Sequence, residues 1–388
     1  MAQKRHQGHG DVDLAPLQEP LQFQFSGKTV PNRLMKSAMT ERLASWHPSE
    51  IARRGVPSRE LINVYRRWGE GAYGLILTGN VMIEYDHLEA AGNTVVPRDA
   101  EFSGERFERF RELASAAKAH GSLVVMQLSH PGRQVGEHIQ PYPISASDVR
   151  LEGEVLSLTF AKPRPMEEAD FKAVIDGFAH AAEYAYRCGY DGVQLHAAHG
   201  YLLAQFLSPT TNKRTDQYGG SITNRGRLIM EIAAEIRRRV TDSSFSLGIK
   251  LNSVEFQEDG LTPEECADLC ADLERAQFDY VELSGGTYQK LAFEHSREST
   301  RQREAYFIDF ADLIVPRLGS IKSYVTGGLR TACAMVEALR TVDGVGLGRP
   351  AASEFDLPWK ILHGQAPGAL LSLSDEDFST TLLAAGTQ

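Results

Sequence analysis

The chain has 388 residues, of which 42% are hydrophobic and 24% are charged, a balance typical of a soluble globular protein with a large core. Its formal net charge of −10 argues against a general nucleic-acid-binding protein, because a phosphate backbone attracts a basic surface. No apolar run reaches the roughly 18 residues that a membrane span needs, and four cysteines are too few for a disulfide framework, so we expect a cytoplasmic protein.

Short apolar segments, each closed by small or polar residues, recur along the chain and predict buried strands. There are eight of them, at residues 33–39, 74–83, 122–128, 191–197, 246–252, 279–285, 321–328 and 343–349. The stretches between them have the apolar spacing of amphipathic helices. This alternation predicts an α/β fold with parallel strands buried on both faces.

Two parallel architectures fit this alternation, a closed (β/α)8 TIM barrel and an open doubly wound sheet. Eight units favour the barrel, because closure uses that number. An open dinucleotide-binding sheet should also carry G-x-G-x-x-G after its first strand, and RLMKSAMTERLA contains no glycine. We therefore predict a single-domain barrel over residues 20–365, a flexible leader without a secretory signal over 1–19, and a tail over 366–388.

Two long insertions follow predicted strands. Residues 129–166 come after the third strand and are rich in Pro and Ser, and residues 286–304 come after the sixth strand and are polar. Segments that follow barrel strands lie at the catalytic mouth, so we expect both insertions to be lids over a pocket.

Polar residues at the carboxyl ends of the strands should converge on that mouth. The sequence places the following residues there: Ser37, Met39, Thr40, Gly79, Asn80, Gln127, His196, His199, Tyr201, Lys250 and Asn252.

The last two strands end in the glycine-rich turns TGGLRT and LGRP. Gly327, Gly328 and Gly348 let backbone N–H groups approach an anion, and Arg349 supplies charge, so we predict a phosphate site here.

The side-chain amides of Asn80 and Gln127 at the mouth can donate to and accept from the edge of a heterocycle, and Lys250 would balance negative charge on the ring. The combination points to flavin mononucleotide (FMN), with a substrate sugar phosphate as the alternative.

His196 and His199 stand three residues apart just after a strand, with Tyr201 two residues further on. A metal site, a proton-transfer site and a plain core all use such residues. HAAHG is not the H-E-x-x-H motif and has no carboxylate or third ligand nearby, so we predict no metal. Paired donors at a strand end can instead both point at one substrate oxygen.

The run HAAHGYLLAQFLSPTTNKRTDQYGGSITNRGRL at 196–228 resembles the signature of the old yellow enzyme family, the FMN-dependent ene-reductases. The resemblance extends through NRLMKSAMTE, GLILTGN, MQLSHPGRQ, VTGGLRT and LGRP, and so covers roughly residues 20 to 365. It implies a barrel that binds FMN without a covalent link and takes hydride from NADH or NADPH. The hydride then passes to the β-carbon of an activated alkene such as an enone.

The resemblance also implies roles for particular residues. His196 and His199 would hydrogen-bond the substrate carbonyl oxygen, and Tyr201 would give a proton to the α-carbon. The residues that would contact FMN are Ser37, Ala38, Met39, Thr40, Asn80, Gln127, Lys250, Gly327, Gly328, Gly348 and Arg349.

The chain also departs from one subfamily. It carries Thr40 where that subfamily has a cysteine beside the flavin, and Arg42 where it has a tyrosine. The C-terminus LLAAGTQ lacks the arginine that reaches across a dimer there, so both a monomer and a homodimer fit. Two further hypotheses keep FMN: an isomerisation, demethylation or aromatising oxidation of a natural product, and a flavin-binding protein without turnover.

Overall fold

A closed barrel of eight parallel strands lies at the centre of the molecule. The computed structural model describes residues 4–8, 12–155, 158–254, 259–285 and 307–371. The barrel strands are β1 Leu34–Lys36, β2 Leu75–Leu77, β3 Leu123–Ser129, β4 Gly192–Ala197, β5 Ser246–Val254, β6 Tyr280–Gly285, β7 Lys322–Thr326 and β8 Gly344–Leu347. Each strand pairs with the next, and β8 pairs with β1 through Val345 and Leu34, which closes the ring. The predicted (β/α)8 barrel is confirmed.

Helices surround this barrel. Those in the described part of the chain are α1 Ala15–Gln18, α2 Arg59–Glu70, α3 Gly104–Lys118, α4 Glu168–Arg187, α5 Leu202–Leu207, α6 Ile222–Arg225, α7 Arg227–Arg239, α8 Pro263–Arg275, α9 Ile308–Ile314, α10 Ala332–Ala338, α11 Arg349–Ser353 and α12 Leu357–Leu362. No described helix combines the length and the apolar character that crossing a bilayer requires.

Local sequence signals explain where these helices begin. Ser58 caps α2 by accepting a hydrogen bond from the Leu61 N–H, and Thr262 caps α8 with Glu265 in a reciprocal capping box. Strands β2 and β4 are buried at every residue, as expected for strands covered on both faces.

Short strands extend the sheet beyond the barrel. Val81–Met82 pairs with Thr94–Val95 and with the end of β3, which holds the segment after β2 against the barrel. The two other pairs join Leu21–Gln22 to Thr29–Val30, and Ile144–Ser145 to Arg164–Pro165.

The predicted leader contains a packed segment. Leu17 is completely buried in the main hydrophobic core, and the Arg5 guanidinium donates to Glu354 Oε2 at 2.8 Å. The His6 N–H also donates to the Ala369 carbonyl at 2.9 Å, so the N-terminal segment lies along the start of the predicted tail. The first insertion, 129–166, is described except for residues 156–157, whereas the second, 286–304, and residues 372–388 lie outside the described residues.

Candidate active site

The two histidines lie at the carboxyl end of β4. His196 is in the strand and His199 follows it in a turn, where it has a φ of 59° and is followed by Gly200 at 76°. Left-handed backbone is uncommon for residues other than glycine, although His, Asn and Asp adopt it more readily than most. Tyr201 is buried, and its ring lies edge-on to the His196 ring with 4.6 Å between centroids. The structure therefore brings together the three residues that the sequence predicted to be catalytic.

The histidines contact each other. His196 Nε2 lies 3.0 Å from His199 Nδ1, His196 Nδ1 lies 2.7 Å from Asn80 Oδ1, and His199 Nε2 lies 2.9 Å from Ser284 Oγ. The backbone N–H of His199 also donates to Asn252 Oδ1 at 3.1 Å. The pair is thus one part of a hydrogen-bonded chain that runs from β2 to β6.

Both imidazoles are neutral near pH 7. Complete burial, helped by the nearby His199 and Lys250, holds the pKa of His196 well below its usual value. Burial and the charge of Lys250 lower the pKa of His199 to about 3. The pair therefore acts through hydrogen bonds and carries no charge of its own.

A buried carboxylate, Glu89, anchors the Asn80 end of the chain. It accepts from Thr40 Oγ1 at 2.7 Å and from Asn80 Nδ2, and Asn80 Nδ2 also lies 3.4 Å from Thr40 Oγ1. Sequence reasoning missed Glu89. The signal that marks it is a charged residue among small and apolar neighbours in HLEAAGN, just after the second strand.

A second carboxylate, Glu41, joins the first two loops of the mouth. It accepts from the Tyr65 hydroxyl and from the Gly79 N–H at 3.2 Å, and the buried Lys36 Nζ lies 3.6 Å away. A Cβ at Gly79 would overlap the Met39 carbonyl oxygen, so only glycine allows the two loops to approach this closely. This contact brings Met39 and Thr40 beside Asn80.

Several predicted FMN contacts meet at Glu282 inside the barrel. The Lys250 ammonium lies 3.1 Å from this fully buried carboxylate. Gln127 donates to Gln194 at 2.6 Å and Gln194 donates to Glu282 at 2.9 Å. Thr326 also donates to Glu282 and lies 2.8 Å from Ser37 Oγ. Sequence reasoning missed Glu282 and Gln194, which lie within apolar strands.

The glycines predicted to bind phosphate lie at the ends of neighbouring strands. Thr326 of β7 and Gly346 of β8 are paired in register, and Gly327 and Gly348 directly follow the ends of these two strands. Gly327 and Gly328 have φ values of 151° and 77°, conformations that disfavour a side chain, and the space where a Cβ at Gly348 would lie is open.

The arrangement fits FMN. The open space beside Gly348 leaves room for a phosphate, and Arg349 begins α11 directly after Gly348. Near the histidines, Asn252 Nδ2 is buried and has no hydrogen-bond partner among the described residues, so it is a donor available to a ligand. Gln127 and Lys250 supply further polar contacts. Their roles toward FMN stay predictions.

Another cluster has the composition of a metal site. Glu84, His87 and His130 each offer a ligand atom within 4.8 Å of the others. The Gly132 N–H, however, donates to His130 Nδ1 at 3.0 Å, so the proton of this neutral ring is on Nε2, the nitrogen that faces Glu84 at 3.4 Å. A protonated nitrogen does not bind a metal, and we interpret the cluster as an ion pair of His87 with Glu84 beside a neutral His130.

Comparisons with known proteins show which family the chain belongs to. A model of the NADH:flavin oxidoreductase / NADH oxidase family matches residues 16–366. The chain is 52% identical over 380 residues to the NADH-dependent flavin oxidoreductase nadA of Aspergillus parasiticus. The aligned region covers 97% of this chain and 85% of the relative. The chain is 33% identical to the NADH-dependent flavin oxidoreductase iliE of Hypocrea jecorina, over 87% of this chain and 86% of that one.

Among solved structures, morphinone reductase in complex with tetrahydroNAD is 25% identical and superposes with a TM-score of 0.72 over 96% of both chains. The chain therefore belongs to the NADH:flavin oxidoreductase / NADH oxidase family, also called the old yellow enzyme family, and is an FMN-dependent oxidoreductase that takes its electrons from a reduced nicotinamide.

Proposed function

We propose that the protein uses NADH to reduce the activated C=C bond of α,β-unsaturated carbonyl compounds. The observation that carries this proposal is the grouping of a buried phenol, Tyr201, with the neutral imidazoles of His196 and His199 at one strand end. NADH is proposed over NADPH because the nadA and iliE relatives are both named NADH-dependent.

Bound FMN would supply the redox chemistry, accepting hydride from NADH and delivering it to the β-carbon of the substrate. Gln127 and Lys250 would hold the flavin ring, and Glu282 would fix the position of the Lys250 ammonium, 3.1 Å away. Gly327, Gly328 and Arg349 would hold the phosphate.

The histidine pair would bind the carbonyl oxygen. A neutral imidazole N–H polarises a carbonyl by hydrogen bonding, and this effect is strong in a site from which water is excluded. Because His199 Nδ1 and His196 Nε2 already contact each other at 3.0 Å, the substrate oxygen must separate them and take over a hydrogen bond.

Tyr201 would protonate the α-carbon. A free phenol has a pKa of about 10 and is a weak acid, yet it is well matched to a carbanion-like carbon in a closed site. The ring of His196 holds one side of the phenol ring at 4.6 Å between centroids, which limits the orientations that the phenol ring can take.

Anaerobic stopped-flow spectroscopy tests this function. NADH should bleach the flavin absorbance, and 2-cyclohexenone should restore it, whereas the saturated ketone cyclohexanone should leave it bleached. Acid release followed by mass analysis should identify the cofactor as FMN and the denatured chain as flavin-free. Restoration by dioxygen alone, with no response to a panel of enones, enals, nitroalkenes and maleimides, would contradict the proposal and favour another reaction of the flavin.

A further inference from the structure

Glu89 lies outside the set of residues predicted to contact substrate or FMN, yet it holds two members of that set. Its carboxylate is buried, with 8% of the residue exposed, and it accepts from both Thr40 and Asn80. We propose that Glu89 is a positioning residue that fixes the direction of every hydrogen bond from Asn80 to Ser284. It thereby decides which nitrogen of His196 and His199 carries the proton. This inference rests on the proposed function only for the identity of the substrate that His196 and His199 bind.

Most groups in this chain of hydrogen bonds can act either as a donor or as an acceptor. A neutral imidazole has one N–H and one lone pair, a hydroxyl can serve in either sense, and an amide has a donor end and an acceptor end. Between Asn80 and Ser284, each link is of one of these kinds. In each of these hydrogen bonds, either of the two groups could therefore be the donor. Glu89 differs, because its Oε2 atom already accepts from both Thr40 Oγ1 and Asn80 Nδ2, so this end of the chain of hydrogen bonds is an acceptor.

Because Glu89 is an acceptor, it determines which group donates in each hydrogen bond that follows. Asn80 must turn its Nδ2 group toward Glu89, so its Oδ1 atom faces His196 Nδ1 at 2.7 Å. An amide oxygen is an acceptor, and His196 must therefore carry its proton on Nδ1. Ser129 Oγ, 3.5 Å from the same nitrogen, is compatible with this assignment because a hydroxyl oxygen also accepts.

The next two links follow in order. With its proton on Nδ1, His196 presents a lone pair at Nε2, and this atom accepts from His199 Nδ1–H at 3.0 Å. His199 then has a lone pair at Nε2, which accepts from the Ser284 hydroxyl at 2.9 Å. Both histidines are therefore Nδ1–H tautomers.

The opposite set of hydrogen-bond directions is unfavourable at the contact between Asn80 and Glu89. Reversing the chain would turn Asn80 Oδ1 toward the Glu89 carboxylate, so that two acceptors would face each other in a buried site. The neutral state of both histidines matters here as well, since an imidazolium would donate from both nitrogens and erase the direction.

The tautomers of the two histidines determine which hydrogen bonds they can make to a ligand. The pair offers a ligand one donor, His199 Nδ1–H, and one acceptor, His196 Nε2, where two equal donors were expected. A ligand that carries a hydroxyl, such as a neutral phenol or an enol, can insert between them, accepting from His199 and donating to His196. A carbonyl oxygen receives a single hydrogen bond from His199.

Nuclear magnetic resonance of the FMN-loaded protein tests the proposal directly. In protein labelled with ¹⁵N-histidine at pH 7, long-range proton–nitrogen correlations show which ring nitrogen of each histidine is protonated. The variants His196→Gln and His199→Asn identify the two sets of signals by their loss. We expect the Nδ1–H form for both residues. An Nε2–H form of His196 in the unmodified protein would overturn the proposal.

Glu89→Gln then tests the cause. Glutamine keeps the shape of the side chain but can also donate, so it removes the constraint on Asn80, and His196 should show a mixture of tautomers or the Nε2–H form. Glu84→Gln is the matched control: it neutralises another carboxylate on the same segment that contacts His87 and His130 instead, and it should leave both histidines as Nδ1–H. Unchanged tautomers in Glu89→Gln, or an equal change in Glu84→Gln, would overturn the role of Glu89.

The tautomers are measured without turnover, so this test and the test of function fail separately. Nδ1–H histidines in a protein that does not reduce enones would support the role of Glu89 and refute the proposed substrate class. Enone reduction by a protein whose His196 carries its proton on Nε2 would do the reverse.

Discussion

The His199 Nδ1 atom lies 3.0 Å from the His196 Nε2 atom, so the two histidines are hydrogen-bonded to each other. Any ligand oxygen that uses the pair must replace this contact. The affinity for such a ligand therefore reports the balance between the histidine–histidine bond and the bonds that the ligand makes.

We expect His199→Asn to weaken the binding of a phenol to the oxidised protein by roughly tenfold, the value of one or two neutral hydrogen bonds. Asparagine suits this position because it tolerates the φ of 59° found for His199. The measurement is a spectral titration of the flavin, with the amount of bound FMN as a control for folding. Parent-like phenol affinity at full FMN content would show that His199 does not bind the ligand oxygen.

Tyr201→Phe separates the two half-reactions. The phenylalanine ring preserves the packing against His196 but lacks the proton, so flavin reduction by NADH should continue within a few-fold of the parent rate. Reoxidation by a cyclic enone should slow by roughly 10²-fold or more, in line with typical contributions of general acids.

Nitroalkenes provide the internal control for Tyr201→Phe. Their reduced product can leave as a nitronate and take its proton from water, so their rate should be spared. A Phe variant that turns over enones at the parent rate would place the proton donor elsewhere.

Arg349→Ala should reduce the affinity for FMN by about one to two orders of magnitude, because it removes a charge-assisted contact of roughly 1.5–3 kcal/mol. Arg340→Ala is a suitable control, since Arg340 is exposed and pairs only weakly with Glu337, 2.9 Å away at the surface. Fluorescence titration of the flavin-free proteins gives both dissociation constants. Equal values for the two variants would refute a phosphate site at the last two turns.

His87 should contribute stability that depends on pH. Hydrogen bonds to Asp86 and Glu84 outweigh its burial and raise the pKa of His87 from 6.5 to about 9. The folded state therefore binds this proton more tightly than the unfolded state. Its contribution, about 3 kcal/mol, is complete below pH 6.5 and is lost as the pH rises through about 9.

His87→Gln should accordingly lower the free energy of unfolding more at pH 6 than at pH 10. Urea unfolding of the parent and the variant at both values gives the difference. A loss of stability that is the same at both pH values would indicate that His87 contributes through packing alone.

The sequence by itself determined the barrel and the location of its mouth. Each of the eight predicted apolar segments overlaps a barrel strand, because a strand covered on both faces is largely apolar, and this property is local. The residues at the strand ends follow from the same reasoning, since parallel strands end on one side of a closed barrel. The run that contains His196, His199 and Tyr201 also carries the resemblance to the family, because its residues are contiguous in the chain.

Only the tertiary structure decided how the polar side chains at the mouth pair. His196 could be placed at the end of β4 from the sequence, but its partner Asn80 comes from the end of β2, 116 residues away. The partner of Lys250 is Glu282, which the sequence shows only as one charged residue in an apolar strand. Hydrophobic periodicity records which residues are buried, whereas the direction of a hydrogen bond depends on two groups brought together by closure of the barrel. The sequence predicts two histidine donors toward one substrate oxygen, whereas the proposed hydrogen-bond directions leave His199 as the single donor, because those directions are set by Glu89 and Asn80, which lie beside β4 only in the closed barrel.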